Sequence, residues 1–354
     1  MKGMVDMRSM KQSVKIGVIG LGRFGRLHLK VFSQIDGAEI AAVCDLDREL
    51  TKRIAGEYPA SRDYASPEDL IRDDGLDVVD IVTDEATHGR LVILALQHGK
   101  HVFVEKPLAL TSEEGRKIEE LQASTGKLVM VGNISRFALP YILMKRSQNR
   151  GQLGELVHMR AKRQFSRSWF EHFGKRVHPV YESGIHDLDL FLWYAGARCT
   201  SVYTVERNIS GYPYPDHFSA LLTFENGLHA SLESSWTIPG NGPHNMTDTL
   251  ELDGTIDAEI ELVGQRSMAK FSTLQSGLSI WTDERCYTPD YTLWPTEHEQ
   301  VGGAIRAELT HFVECVRLHR PSDIVPLADS VHALEIAAAI VTSGKTGEPV
   351  RVGG

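Results

Sequence analysis

Cysteine is scarce in this chain: four in 354 residues, at Cys44, Cys199, Cys286 and Cys315, with no two in CxxC spacing. That scatter argues against a zinc ribbon, a dithiol redox motif and a disulfide framework, and leaves reduced, buried or incidental thiols. Long apolar runs are missing as well. Lys2, Asp6, Arg8, Lys11 and Lys15 break up the opening MKGMVDMRSMKQSVKIGVIG, so no secretory signal is expected there. The best membrane candidate, LEIAAAIV, is too short to span a bilayer and is flanked by charge. Basic excess is absent too: with 38 Lys and Arg against 47 Asp and Glu, the net charge of -9 argues against sequence-independent binding to nucleic acid. There is no internal repeat and no low-complexity segment. These absences lead us to expect a cytoplasmic protein without nucleic-acid or membrane partners.

What is present is ordinary globular composition, 42% hydrophobic and 24% charged, in a chain long enough for two domains. From Val14 onward, short β-branched runs (VKIGVIG, EIAAVCD, VVDIVT, HVFVEK) alternate with helical periodicity in RLHLKVFSQI, RELTKRIAGEY and RLVILALQHG. Strands and helices alternating at this spacing predict βαβ units and a doubly wound parallel sheet. After KLVMVGN the pattern changes. ELVHMRAKRQF, SVYTVERNIS, HFSALLTFENG, LHASLESSWTI and DAEIELVG read as longer alternating strands, the pattern of a mostly antiparallel sheet. AIRAELTHFVECVRLH and ADSVHALEIAAAIVTSG read as helices that flank the second sheet or lean back on the first domain. The expected organisation is a loose tail at 1–13, a nucleotide-binding domain at 14–134, and a substrate-binding and oligomerisation α/β domain with a large open sheet at 135–354.

VIGLGRFGRLH places Gly20, Gly22 and Gly25 in GxGxxG spacing between a predicted strand and a predicted helix, with Arg23 and Phe24 inside the motif. The first glycine allows a tight turn, the second a close approach to pyrophosphate, and the third close packing of helix on strand. The pyrophosphate then rests on the helix N-terminus. Asp45 follows about 20 residues later, where a carboxylate accepts from a ribose 2′-hydroxyl and repels a 2′-phosphate. NAD is therefore expected over NADP. Two features qualify this: Asp45 has a competing reading as the N-cap of the helix beginning near Asp47, and Arg48 lies close by.

HVFVEKPLAL raises a different question, because an apolar run ends on the charged pair Glu105 and Lys106 before Pro107. In a doubly wound sheet such a strand end faces the ligand crevice, so both side chains are candidates for a place beside the cofactor. The competing reading is a solvated turn carrying a charge pair of little energetic value.

Taken in order, VIGLGRFG, VEKPLAL, MVGNISRFALPY and ESGIHDLDLFLWYAG resemble the Gfo/Idh/MocA family of glucose-fructose oxidoreductase and inositol dehydrogenase relatives, and the resemblance runs from about Val14 to the end. It implies a Rossmann domain, then an α/β domain with an open sheet, and pyridine-nucleotide oxidation or reduction of sugars, cyclitols and related polyols. Thr83 and His88 match the family's loop after the fourth strand, which implies that they contact the cofactor, although Asp84 stands where proline is usual. Arg136, Phe137, Pro140 and Tyr141 match the segment leading into the second domain. Lys106 falls on the family's catalytic lysine, His186 on its catalytic histidine, and Glu182 where an aspartate is usual. The family also self-associates through the second sheet, which implies a homodimer or homotetramer.

The residues support the same chemistry. Glu182 and His186 share a helix face at i,i+4, and Asp189 follows His186 at i+3. Taking hydride from a carbinol carbon leaves a protonated carbonyl unless a base removes the proton, as histidine can near neutral pH. A lysine ammonium can stabilise charge developing on the same oxygen. His186 is thus read as base, Lys106 as orienting acid or relay, and Glu182 as orienter. Competing readings make His186 a core histidine bonded to Asp189, make His178, Glu182 and His186 a metal site, or make the segment a helix stabilised by local ion pairs; no standard metal motif matches. Upstream, Arg163, Arg167, Trp169, Arg176 and His178 are candidates for lining the sugar pocket, where an arginine would suit a sugar acid or nucleotide sugar, and Arg136 is a separate substrate candidate. At the level of activity, two alternatives to a dehydrogenase are a glycosidase-like enzyme with recycled NAD, working by oxidation and elimination, and a non-catalytic sensor on the same fold.

Overall fold

The computed structural model describes residues 13–245, 254–275, 278–282 and 286–353, so the expected tail up to Gln12 lies outside the described residues. The chain forms two compact units, Met1–Gly132 with Thr296–Ala328, and Asn133–Pro295 with Asp329–Gly354.

The first unit alternates β1 (Val14–Ile19), α1 (Arg23–Phe32), β2 (Ala38–Cys44), α2 (Arg48–Glu57), β3 (Arg62–Tyr64), α3 (Pro67–Ile71), β4 (Val78–Ile81), α4 (Glu85–Gln97), β5 (His101–Glu105), α5 (Ser112–Thr125) and β6 (Val129–Gly132). Its six strands are all parallel, in the order β3-β2-β1-β4-β5-β6. Helices cover both faces of such a sheet, which is why Ile16, Val18, Val78, Val79, Val102 and Val104 are fully buried. The strand order reverses between β1 and β4, opening the crevice at the carboxyl ends where dinucleotides bind in this topology.

Residues 296–328 fall in the first unit, the second of the two placements left open for the C-terminal helices. The reason is the apolar stripe of α9 (Gly303–Arg317): Ile305, Leu309, Phe312 and Val313 are buried, and the Phe312 ring lies 5.3 Å from Phe103 of β5.

The second unit contains α6 (Leu139–Asn149), β7 (Leu156–Ser166), α7 (Arg167–Phe173), a π-helical turn over Val180–Gly184, α8 (Ile185–Ala195), β8 (Cys199–Arg207), β9 (His217–Phe224), β10 (His229–Ile238), β11 (Ile256–Gly264) and β12 (Met268–Ser272). Helix α10 (Leu327–Thr346) follows α9, and the short strand Val350–Arg351 closes the sheet. The sheet order is β12-β11-β7-β10-β9-β8 and then that last strand, and only the β7–β10 pairing is parallel. Burial alternates along these strands: in β9, Phe218, Ala220, Leu222 and Phe224 are buried while Leu221 is exposed. One face therefore packs on the core and the other faces outward. Among the described residues no helix is long and apolar enough to cross a membrane.

Candidate active site

In the first unit, Gly20 sits at φ +95, and a Cβ there would stand 2.2 Å from the Val82 carbonyl oxygen, so only glycine fits. A Cβ on Gly25 would come within 1.9 Å of the Gly20 carbonyl oxygen, so α1 packs directly on the turn. Around Gly22 a Cβ would meet nothing within 4 Å, and this glycine caps α1 without a side-chain bond. The result is an open cradle in front of a helix N-terminus, which fits the pyrophosphate of a dinucleotide. Arg23 lies exposed at the first helical position, and Phe24 packs with its ring 5.7 Å from His28.

Asp45 Oδ2 accepts from the Leu21 N–H at 2.7 Å and Oδ1 from the Asp47 N–H at 2.9 Å, which ties the glycine loop to the end of β2. The N-cap of α2 is Asp47, whose side chain accepts from Glu49 and Leu50, so Asp45 does not cap that helix. Arg48, the residue that left room for NADP, pairs with Asp63 at 2.9 Å.

After β4, the Thr83 hydroxyl bonds that of Thr87 at 2.7 Å. His88 is buried, with Nδ1 2.7 Å from the Pro107 carbonyl oxygen and Nε2 2.9 Å from that of Thr83. Both ring nitrogens are therefore engaged, and His88 is corrected from a cofactor contact to a brace between two loops. Asp84 holds φ -66, a value proline can adopt, so the departure from the family pattern keeps the local backbone direction.

Glu105 is corrected as well. Its carboxylate turns into the domain instead of the crevice: Oε2 accepts from the Lys106 N–H at 3.2 Å, and Oε1 lies 3.4 Å from His28 Nε2. Gly132 makes the room, since a Cβ there would stand 2.6 Å from Glu105 Oε1. Lys106, joined to Pro107 by a cis peptide, is half-buried at the carboxyl end of β5.

The second unit builds its site around the start of α8. Every residue from Ser183 to Leu192 is buried except His186, which is half-exposed. Two neighbouring carboxylates anchor the helix from inside. Asp187 receives Nε and Nη2 of Arg163 at 2.8 and 2.9 Å, and Asp189 receives Nε of Arg136 at 2.8 Å and Nδ2 of Asn133 at 2.8 Å. Arg136 also reaches Asp329 at 2.9 Å. These ion pairs fix the rotation of α8, and with it the direction of His186. Glu182, half-buried, belongs to the π turn just before α8; such turns are frequent at functional sites.

Several expected pocket residues are corrected here. Arg136 and Arg163 are buried and committed to aspartates, because a guanidinium out of water needs a carboxylate partner. Their partners were unreadable from spacing, being 53 and 24 residues away. His178 is buried too: Nδ1 accepts from the Val180 N–H at 3.1 Å, and Nε2 faces Glu206 Oε1 at 2.9 Å. Trp169 leans on Phe165, its ring 6.1 Å away, at the edge of the cluster of Phe165, Phe170 and Trp236. Gly254 makes space for that indole. Asp189 is held by Asn133 and Arg136. Among the described residues no group of three or more His, Cys, Asp or Glu is placed to hold a metal ion.

Residues 14–133 match the model of the oxidoreductase family with an NAD-binding Rossmann fold, and residues 141–269 match the GFO/IDH/MocA C-terminal domain. The chain belongs to the Gfo/Idh/MocA oxidoreductase family. Within it, the chain is similar to scyllo-inositol 2-dehydrogenase (NAD(+)) of Bacillus subtilis strain 168, with 29% identity over 97% of each chain. Inositol 2-dehydrogenase of Salmonella typhimurium strain LT2 is 30% identical over 51% of this chain and 54% of that relative. Among solved structures, myo-inositol 2-dehydrogenase of Lactobacillus plantarum superposes with a TM-score of 0.81 at 22% identity, over 96% of this chain and 100% of its own. The scyllo-inositol dehydrogenase of Lactobacillus casei, solved with NAD(H) and scyllo-inositol, gives 0.81 at 20% identity, over 97% of this chain and 100% of its own. At such identities the structural likeness speaks for the Gfo/Idh/MocA fold. The cofactor of this family's N-terminal domain is NAD, which the glycine cradle and Asp45 suit.

Proposed function

We propose that the chain is an NAD-dependent dehydrogenase that oxidises a secondary hydroxyl of a cyclitol such as an inositol, or catalyses the reverse reduction. The observation that carries this is His186: half-exposed at the head of a helix otherwise buried there, and held in rotation by the Asp187–Arg163 and Asp189–Arg136 pairs. The similarity to curated inositol dehydrogenases supports the substrate class.

In this reading His186 takes the hydroxyl proton as general base. The Lys106 ammonium donates to the same oxygen and stabilises its developing negative charge. Glu182 orients the imidazole or a neighbouring hydroxyl. NAD, held by the glycine loop and Asp45, would supply the hydride acceptor. The alcohol thus loses its proton to this chain and its hydride to the cofactor, giving the ketone.

The test is a panel of inositols and sugars with NAD, scored for NADH absorbance, on the native chain and on His186→Ala and Lys106→Ala. We expect turnover with a cyclitol, abolished in both variants while NAD binding persists. Near-normal turnover in both variants would refute the assigned roles. Retained nucleotide without net NADH across the panel would refute the dehydrogenase reading in favour of recycled NAD.

We also infer self-association through the outer face of the second sheet. Tyr203 and Leu221 are direct cross-strand partners there, 40% and 61% exposed, with Val205 beside them at 51%. Adjacent exposed apolar side chains on a sheet face suit a protein contact. Light scattering should give a dimer or tetramer; a monomeric mass at micromolar concentration would refute it.

A further inference from the structure

His28 is a fully buried histidine in the first unit, on the helix that the glycine loop opens. Its Nδ1 donates to Asp80 Oδ2 at 3.0 Å, and its Nε2 lies 3.4 Å from Glu105 Oε1. The rings of Phe24, Phe32 and Phe103 wall it in at 5.7, 6.3 and 5.6 Å. Asp80 is fully buried as well, and Glu105 nearly so.

The cluster is under-satisfied. His28 Nε2 and Asp80 Oδ1 lack a hydrogen-bond partner, and the 3.4 Å contact with Glu105 is an ion pair without good hydrogen-bond geometry. A half-satisfied charged network inside an apolar sheet is a poor device for stability, since well-packed apolar residues do as well or better. Such a group in a folded protein calls for another explanation.

Position supplies one. Glu105 is the residue before Lys106, and its second oxygen receives the Lys106 N–H. Holding Glu105 from beneath therefore fixes the peptide from which Lys106 departs. Burial alone would push the His28 imidazole down, but Asp80 and Glu105 outweigh it and push it up to about 10, so the ring stays charged between two carboxylates.

We propose that His28 is a positioning residue for Lys106: with Asp80 it clamps the Glu105 carboxylate inside the domain, and Glu105 in turn holds the Lys106 backbone at the end of β5. The inference rests on the reading of Lys106 as the group that acts on the substrate oxygen. It also accounts for the charge pair in VEKP, with one charge for the chemistry and the other for the anchor.

Three variants disturb the clamp from different sides: His28→Gln removes the charged bridge, Glu105→Gln keeps the shape without the charge, and Gly132→Ala pushes on Oε1 without touching His28 or Lys106. Each should lower kcat about 10- to 100-fold, the cost of a displacement near 1 Å. KM and dissociation constant for NAD should stay near the native values. A readout independent of substrate is competitive acetylation of the Lys106 amine across pH, measured by peptide mass with Lys52 as internal reference. The labelling curve of Lys106 should move in all three variants while that of Lys52 stays. If folded variants melt earlier yet label Lys106 and turn over as the native chain does, the clamp is structural only and the proposal fails. If labelling moves but the native chain oxidises no cyclitol or sugar, positioning stands and the role given to Lys106 falls. Should His28→Gln not fold, Gly132→Ala and Glu105→Gln decide.

Discussion

Asp187→Asn is the sharpest single test of how the second unit aims His186. Arg163 has 8% of its side chain exposed and Asp187 2%, and they meet through Nε at 2.8 Å and Nη2 at 2.9 Å. Burial opposes the Arg163 charge, but Asp187 reverses the effect and drives its pKa above the ordinary guanidinium value. An amide at 187 would leave that guanidinium buried against a neutral partner, which costs about 3–5 kcal/mol when one member of a buried pair is lost. For a domain of this size class, about 2–4 °C per kcal/mol converts this into a fall in melting temperature of about 6–20 °C. The assay is thermal unfolding by circular dichroism, with NAD titration confirming that the first unit still binds. Arg163→Lys should lie in between, because an ammonium keeps the charge but not the two-pronged geometry. The double variant Arg163→Met with Asp187→Leu should recover much of the loss, since it removes both charges instead of stranding one. A fall below about 2 °C in Asp187→Asn would refute the reasoning, because it would mean that water reaches the pair.

Two more predictions concern the first unit. His28 is raised to about 10, so the stability it lends is complete below its unfolded value near 6.5 and fades as pH rises toward 10. His101 is pushed by burial down to about 4, with Nδ1 accepting from the Leu128 N–H, so its share is complete above about 6.5 and fades as pH falls toward 4. Each slope is at most about 1.4 kcal/mol per pH unit, so denaturant titrations should show stability falling on both sides of neutrality. His101→Gln should flatten the acid limb alone; an unchanged acid limb would refute that assignment. In the glycine loop, Gly22→Ala should fold normally and weaken NAD binding, as its Cβ enters only the open cradle, whereas Gly25→Ala should destabilise the unit, as its Cβ meets the Gly20 carbonyl oxygen at 1.9 Å. Equal melting temperatures for the two variants would contradict this geometry.

Where burial is continuous, the pattern was legible: VKIGVIG, EIAAVCD and HVFVEK became β1, β2 and β5 of a parallel sheet. Helix α5 was harder to read because its buried face is thin, with only Gly115 and Ile118 buried. It still carried a signal in Thr111 and Glu114, at the spacing of a capping box: the Glu114 N–H donates to the Thr111 hydroxyl, which donates in turn to the Glu114 carboxylate. Strand β3 and helix α3 are too short, at 3 and 5 residues, for any period to emerge. Residues 296–328 lay beyond the reach of local pattern, since tertiary contacts such as the Phe312 ring on Phe103 and the Val301 N–H on Gln34 tell which domain α9 covers.

At the candidate site, spacing pointed to the glycines and to the shared face of Glu182 and His186, and the family resemblance to Lys106 and His186, but neither pointed to what holds them. Arg136, Arg163 and His178 read equally well as pocket residues or as anchors, because a sequence shows a charge without its partner. The signal that was available lay elsewhere, in polar residues set within apolar runs: Asp80 in VVDIV, His28 in RLHLKV, Asp187 and Asp189 in GIHDLDLFL. A charge in such a run must be paired or neutralised once the run is buried. Each of these four is buried, and each has its partner: Asp80 with His28, Asp187 with Arg163, Asp189 with Arg136. The His28–Asp80 pair reaches Lys106 through Glu105, and the other two pairs flank His186 on its own helix. A charge inside an apolar run thus marks, in this chain, a support beneath a residue to which we assign the chemistry.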